Sequence, residues 1–241
     1  MKAYNYQFTQ FISKSLVTFD DYQEEEEFTL FCTQLSKERF PKKNERDKIL
    51  NDWIAFFENN PEKIKKLHVT GRMNQKLFNA ICTQKNLEEL YIKWGVYPDL
   101  TPIKQLKNLR YLSLCAGASA KDISPVSSLT KLEVLILKTV GVIDYSSFRI
   151  LHNLQQLGIH SGMDNLVKVE SLEFLKNLPQ LKNFRTTGFR LLNHDYSPIL
   201  SLKNLEFLSV NMPAYDHKIW NDQLATHFSH ISENKHQIFY S

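Results

Sequence analysis

Core-forming residues recur along the chain as triplets spaced three and then two apart. They are Ile64/Leu67/Val69, Leu87/Leu90/Ile92, Leu109/Leu112/Leu114, Leu132/Leu135/Leu137, Leu154/Leu157/Ile159, Leu181/Phe184/Thr186 and Leu205/Leu208/Val210. Their first members lie 23, 22, 23, 22, 27 and 24 residues apart. A single helix does not end on a step of two, and a single strand does not begin with a step of three. Each triplet therefore joins a turn to a short strand, and a fixed period of about 20–29 residues predicts a solenoid. Between strands, Asp-Leu-Thr-Pro (99–102), Asp-Ile-Ser-Pro (122–125), Asp-Tyr-Ser-Ser (144–147) and Asp-Tyr-Ser-Pro (195–198) occupy equivalent places. They predict short helical turns with Ser or Thr as N-cap and Pro in the first turn. Ile103/Leu106, Val126/Leu129, Phe148/Leu151 and Ile199/Leu202 then close the core from the convex side.

The Leu-x-x-Leu-x-Leu pattern covers roughly residues 62–213 and resembles the leucine-rich-repeat family, in the 22-residue class of internalins and of a protein phosphatase regulatory subunit. The resemblance implies an α/β fold: a right-handed solenoid with a parallel concave sheet, short helical turns on the convex side, and protein recognition through the concave face. Family members usually carry Asn at the ninth position. This chain has Arg72, Gly95, Gly117, Val140, Gly162, Phe189 and Pro213 there. The asparagine ladder is absent at that place, so the strand-exit loops must satisfy their backbone another way. Phe184 and Thr186, in place of leucines, predict local irregularity in their unit.

A solenoid needs covered ends. The expected organisation is an N-terminal cap over residues 1–61, about seven repeats over 62–213, and a C-terminal cap over 214–241. In the first, the alternation of Tyr4, Tyr6 and Phe8 predicts a strand. Phe28, Phe31, Cys32 and Leu35 fit one face of a helix, with Glu24–Glu27 at its start, where negative charge favours the dipole. Ile49, Leu50, Trp53, Ile54 and Phe57 fit a second helix, between Asn44 as N-cap and Pro61 as stop. An α-rich cap is thus expected. At the C-terminus, residues 216–230 have a helical pattern and 236–241 that of a last strand.

Residues between the core positions face outward, because side chains alternate along a strand. One outward lane reads Lys66, Glu89, Tyr111, Val134, Gln156, Asn183, Phe207. The next reads His68, Tyr91, Ser113, Ile136, Gly158, Arg185, Ser209, and a third Thr70, Lys93, Cys115, Lys138, His160, Thr187, Asn211. Tyr91, Trp94, Tyr111, Val134 and Ile136 form an apolar patch of the kind that marks an interface. A cap folded over the patch is the competing expectation. The long fourth unit places extra residues at 161–170, and loop 188–195 follows. Arg185, Arg190, His160 and His194 are expected to gather there and receive an acidic group. The candidate partner-binding residues are Tyr91, Trp94, Tyr111, Val134, Ile136, Lys138, His160, Arg185 and Phe207.

Composition adds limits. Of 241 residues, 42% are hydrophobic and 23% charged, as in an ordinary globular protein. Three widely spaced cysteines, Cys32, Cys82 and Cys115, argue for free thiols in a reducing compartment. No apolar run resembles a signal peptide or a membrane span. A cytoplasmic location is expected. The net charge of +4 is uneven. Residues 1–60 carry 8 basic and 11 acidic side chains, and residues 61–241 carry 22 and 15. The lysines before each strand, in "QKNL" (84–87) and "LKNL" (106–109 and 202–205), fall along one rim, and leave nucleic-acid binding as an alternative. Phosphate-binding, dinucleotide and protease signatures are absent. His227 and His230 lack further ligands for a metal. No catalytic residue, metal or cofactor is assigned. The expected function is non-catalytic recognition of a protein, possessing an acidic patch, by an inhibitor, immunity protein or regulatory subunit. An enzyme with a site in the N-terminal region or at Cys115 is the other alternative.

Overall fold

A computed structural model of the chain describes residues 14–161, 165–231 and 236–240, the last five as backbone. The expected strand at Tyr4–Phe8 lies outside the described residues. Ten parallel strands form one sheet. In chain order they are β1 (Ser15–Leu16), β2 (Glu27–Leu30), β3 (Lys66–Asn74), β4 (Glu89–Val96), β5 (Tyr111–Leu114), β6 (Val134–Leu137) and β7 (Gln156–His160). After the short β8 (Val167–Val169) come β9 (Asn183–Thr187), β10 (Phe189–Leu191), β11 (Phe207–Met212) and β12 (His236–Tyr240). The sheet order is β1-β2-β3-β4-β5-β6-β7-β9-β11-β12, while β8 and β10 pair apart from it. Three helices, α1 (Lys43–Asn59), α2 (Gln75–Ile81) and α3 (Ala214–His227), complete the regular structure together with short 3-10 turns.

Neighbouring triplets stack in register, with Leu67 against Leu90, Leu112, Leu135, Leu157, Phe184 and Leu208 in turn. These residues are at most 1% exposed. The coil returns through 3-10 turns at Thr101–Gln105, Ser124–Ser128, Ser146–Ile150, Glu173–Asn177 and Ser197–Ser201. Five residues are too few for an α-helix to nucleate in so tight a return.

The turns are capped differently from the expectation. The Asp side chain two residues ahead does the work: Thr101 N–H donates to Asp99 Oδ1 (2.8 Å), Ser124 to Asp122 (2.8 Å), Ser146 to Asp144 (2.7 Å) and Ser197 to Asp195 (2.9 Å). This is an Asx turn, which a carboxylate makes better than a hydroxyl. Bonds from Thr101 and Ser146 hold the Asp99 and Asp144 carboxyls below their usual range.

An asparagine ladder exists, but it stands just before each strand. Asn86, Asn108, Asn153 and Asn204 donate their side-chain amides to the carbonyls of Glu62, Lys85, Thr130 and Pro179, one coil back, at 2.8–2.9 Å. Ahead of Leu132, Lys131 fills that place and reaches Asn108 Oδ1 at 2.8 Å. The residue preceding each strand also gives its carbonyl to two successive N–H groups of the next coil, as Glu88 does for Arg110 and Tyr111.

Three further differences separate the N-terminal region and the later repeats from the expectation. Residues 27–30 are a strand, because Phe28 and Leu30 align with Leu67 and Val69 and extend the sheet by pairing with β3. Glu24–Glu27 thus precede or begin a strand and ion-pair with Lys63, Lys14, Lys65 and Lys66. Helix α1 begins at Lys43 after a Lys42 cap; Asn44 lies inside it and its side chain accepts the Glu45 N–H. Among residues 14–61, one 17-residue helix supplies most of the regular structure, beside two short strands. Trp53 anchors α1 by donating to the Val17 carbonyl at 2.9 Å. Gln84 and Thr83 hold its far end through the Phe57 carbonyl, on the α2 side. Unit five pairs without a shift along all of β9 to β7. Its ladder with β11 stops after three residues, where the Thr186 hydroxyl accepts the Asn211 N–H at 3.0 Å. The register shift in the sheet falls earlier, between Val69 and Arg72.

Replacing Asn108 by Ala should destabilise the protein by about 1 kcal/mol, since it unties one coil from the last. Lys107→Ala, one residue away, should change stability by less than about 0.5 kcal/mol; urea denaturation compares the two. The pH dependence has a definite sign. A depressed folded-state pKa gives stability that is complete above the unfolded value near ~3.9 and is lost as pH falls through the folded value. An Asp99→Ala/Asp144→Ala double variant should therefore show a shallower loss of stability below about pH 4 than the wild type, measured by urea unfolding at a series of pH values.

Candidate protein-binding face

The parallel register builds two of the expected outward lanes along the repeats, while in the third only His160 and Thr187 are paired. Lys66, Glu89, Tyr111, Val134, Gln156, Asn183 and Phe207 stand on successive strands in one row. His68, Tyr91, Ser113, Ile136, Gly158, Arg185 and Ser209 form the next. The described part of the N-terminal region extends the sheet edge and packs toward α2. It leaves Tyr91, Tyr111 and Ile136 half-buried and Trp94 38% exposed.

The nine candidate residues differ in what they present. Tyr91, Tyr111 and Ile136 stand on β4, β5 and β6, one strand apart. Arg110 covers the Tyr111 ring from 5.4 Å, and Arg72 the Trp94 ring from 5.6 Å. Val134 belongs to the lane but is 4% exposed, so it supports the patch from below. Lys138, His160 and Arg185 lie on β6–β9, and Phe207 is half-buried at the far end. Arg190 and His194 do not join them. Arg190 sits on β10 in the separate strand pair. His194 Nδ1 is 2.7 Å from Oδ1 of the fully buried Asp216, at the start of α3. His194 takes a positive φ of 56°, and its carbonyl accepts the Trp220 indole N–H at 3.0 Å. It ties α3 to the last turn.

The extra residues of the fourth unit make a device that the sequence pattern does not announce. Val167–Val169 pairs in parallel with Phe189–Leu191, forming a small second sheet. Glu170 N–H continues to the Ile143 carbonyl, and Leu192 N–H to the Val169 carbonyl. Phe189, Val167 and Leu191 are buried beneath it. A β-branched alternation at Val167 and Val169 is the one signal that pointed there.

Charge is partitioned by lane. In the three lanes of the repeat strands the sole carboxylate is Glu89. It is 1% exposed, with His68 Nε2 at 2.6 Å from its Oε1. Lys93, Lys138 and Arg185 are exposed, and among the described residues none of the three forms an ion pair. Just outside the sheet the pattern reverses. The residues before the strands include Glu26, Lys65, Glu88, Arg110, Glu133, Lys182 and Glu206, which alternate in sign. Lys65–Glu26 (2.6 Å), Arg110–Glu133 (2.7 Å) and Lys182–Glu206 (3.3 Å) are paired. This rim neutralises itself.

The thiols are poorly suited to nucleophilic work. Burial pushes the Cys32 thiol up to about 12 and that of Cys82 higher still. Cys115, half-buried on β5's outward end, is also raised by burial, against a smaller opposing effect of Lys138. A groove of about 500 Å³ lies between Cys32–Leu35, Arg46, Asp47, Leu50 and Arg72–Asn74. Among the described residues no cluster of three metal-ligating side chains occurs.

Solved structures share this arrangement. Internalin C2 of Listeria monocytogenes superposes with a TM-score of 0.56 at 22% identity, over 78% of this chain and 74% of that one. The chain folds as a leucine-rich-repeat protein. A second Listeria monocytogenes internalin (inlF) gives a TM-score of 0.52 at 19% identity, covering 64% of this chain and 51% of its own. A leucine-rich-repeat protein of Leptospira interrogans gives 0.52 at 20%, covering 73% and 49%. The chain spans about half the length of these last two. No family model and no curated protein matches its sequence. At such identities the likeness concerns the leucine-rich-repeat fold itself. In this chain, asparagines before the strand tie one coil to the last, and aspartates before the turn cap its start.

The buried pair on this face carries a stability prediction. His68→Ala would leave the Glu89 carboxylate buried without its imidazole, at a cost of about 3 kcal/mol. Thermal or urea unfolding of that variant measures it, with exposed Lys76→Ala as a control expected to change little.

Proposed function

We propose that the protein is a recognition module that binds an acidic surface of another protein through its concave face. The supporting observation is the lane chemistry. Exposed Lys93, Lys138 and Arg185, which form no ion pair among the described residues, flank half-buried Tyr91, Tyr111 and Ile136, on a face whose single lane carboxylate is buried. Interface cores are enriched in Tyr, Trp and Arg, and charged groups such as Lys stand at the polar rim. Seven strands at a spacing of ~4.8 Å span roughly 30 Å. That width accommodates a standard interface of about 800 Å² per partner. In this reading the protein works in the cytoplasm as an inhibitor, an immunity protein or a regulatory subunit, and the binding event is its activity.

The nucleic-acid alternative rests on Lys85, Lys107 and Lys203; Lys85 pairs with Glu62, and the adjoining row from Glu26 to Glu206 alternates in sign. The enzyme alternative at Cys115 is weakened by a thiol that burial keeps protonated. A nucleic-acid partner would show affinity falling steeply with salt.

The reading is tested by changing Tyr91, Tyr111 and Ile136 to Asp together. With an unchanged circular dichroism spectrum, affinity for a partner captured on the wild-type protein should fall at least about 100-fold, the scale of losing two hot spots. Unchanged affinity in the folded variant would remove the concave face from the account.

A further inference from the structure

Three nitrogen-bearing side chains stand on or beside neighbouring strands of the concave face, around a glycine. Strand β6 leads into Lys138, β7 carries His160 and β9 carries Arg185. Between them lies Gly158, in register with Ile136 on one side and Arg185 on the other. A Cβ at Gly158 would stand 2.6 Å from His160 Nε2 and 2.8 Å from Ile136 Cδ1. The imidazole therefore lies down over the glycine, with Nε2 above the middle lane. Its other nitrogen, Nδ1, is 2.9 Å from Thr187 Oγ1.

We propose that Lys138, His160 and Arg185 form a carboxylate-binding subsite, which seats an Asp or Glu side chain of the protein partner and takes up a proton on His160 as it does so. This rests on the concave-face reading and sharpens it, by naming the group that is recognised and the protonation that accompanies it.

Among the described residues, the groups facing His160 are few. Lys138 flanks it from just past β6, Arg185 and Thr187 from β9, and the Ile136 methyl lies across Gly158; Cys115, just past β5, precedes Lys138 across the lane. Among the described residues no carboxylate is paired with any of these cations. Burial, and then the charges of Arg185 and Lys138, bring the free imidazole down to about 4. A carboxylate placed among the three groups opposes the second cause and rewards the charged ring. Protonated His160 would donate from Nδ1 to the Thr187 hydroxyl and from Nε2 to the incoming oxygen. The hydroxyl serves either state, because it both donates and accepts.

The sign follows from that shift. A pKa raised on binding means binding that tightens as pH falls through the bound-state value toward the free one, and no difference well above the bound-state value. The test follows the His160 ring by NMR across pH, alone and with a saturating hexaglutamate peptide. The peptide should raise the His160 midpoint by at least one unit, which corresponds to tenfold tighter binding to the protonated form. Two variants check the geometry. Gly158→Ala lifts the ring off the floor and should raise the free midpoint. Lys138→Gln/Arg185→Gln should raise the free midpoint and abolish the peptide's effect. Inorganic phosphate at equal ionic strength is the control, and an equal shift with phosphate would replace the carboxylate assignment by a general anion hole. Peptide-induced shifts on the concave lanes with an unmoved His160 midpoint would overturn the subsite and leave the concave-face reading standing. Shifts confined to the convex turns would overturn both.

Discussion

A parallel strand cannot be reached from its neighbour by a tight turn, so the chain must travel a full crossover before it can pair again. Every other feature of this molecule answers that constraint. The crossover here occupies one coil, and it has to return the next strand to the same register. Stacked leucines from Leu67 to Leu208 align the strands. Side-chain amides from Asn86 to Asn204 bind the preceding coil's carbonyls. Aspartates from Asp99 to Asp195 start the return turn at a set place. Burying each Leu or Ile contributes about 1.5–3 kcal/mol, but only when a neighbouring coil covers it. Stability in such an array comes from neighbours, and both ends of the sheet are extended by strands outside the repeats.

The same pairing that consumes every second side chain releases the others. The outward lanes lie outside the leucine core, and apart from buried positions such as Glu89, Ser113 and Val134 their chemistry varies from strand to strand. The result is segregated. The rim alternates in sign and pairs with itself, the one lane carboxylate is buried against His68, and the exposed lane charges are positive. Gly158 adds relief to a flat floor, and His160 fills it. An electropositive, aromatic, slightly hollowed face is complementary to an acidic protein surface, and complementarity of that kind favours fast and selective encounter.

The lanes were legible in the sequence because a strand's period of two carries side-chain direction with it, and equal coil lengths carry register. What failed to be legible had a specific competitor in each case. Phe28, Phe31, Cys32 and Leu35 fit a helical face as well as a strand does, and pairing with β3 decided for the strand. In Asp-x-Ser, two residues can cap, and the carboxylate two positions ahead reaches the N–H that the hydroxyl was expected to serve. The ladder asparagines sit inside "KNL", where the lysine draws the eye as a rim charge. His194 was expected beside Arg185, but a buried Asp216 from beyond the last repeat holds it. Val134 kept its lane and lost its exposure, which depends on neighbouring side chains that periodicity does not describe.

The central claim is that recognition happens on the concave face. A photo-activated cross-linking residue placed at Tyr111, and separately at Lys104 on the convex turn, tests it most directly in the cell that makes the protein. The account predicts a covalent partner from position 111, joined through a segment rich in Asp and Glu, and none from position 104. A partner captured from position 104 and absent from position 111 would contradict it.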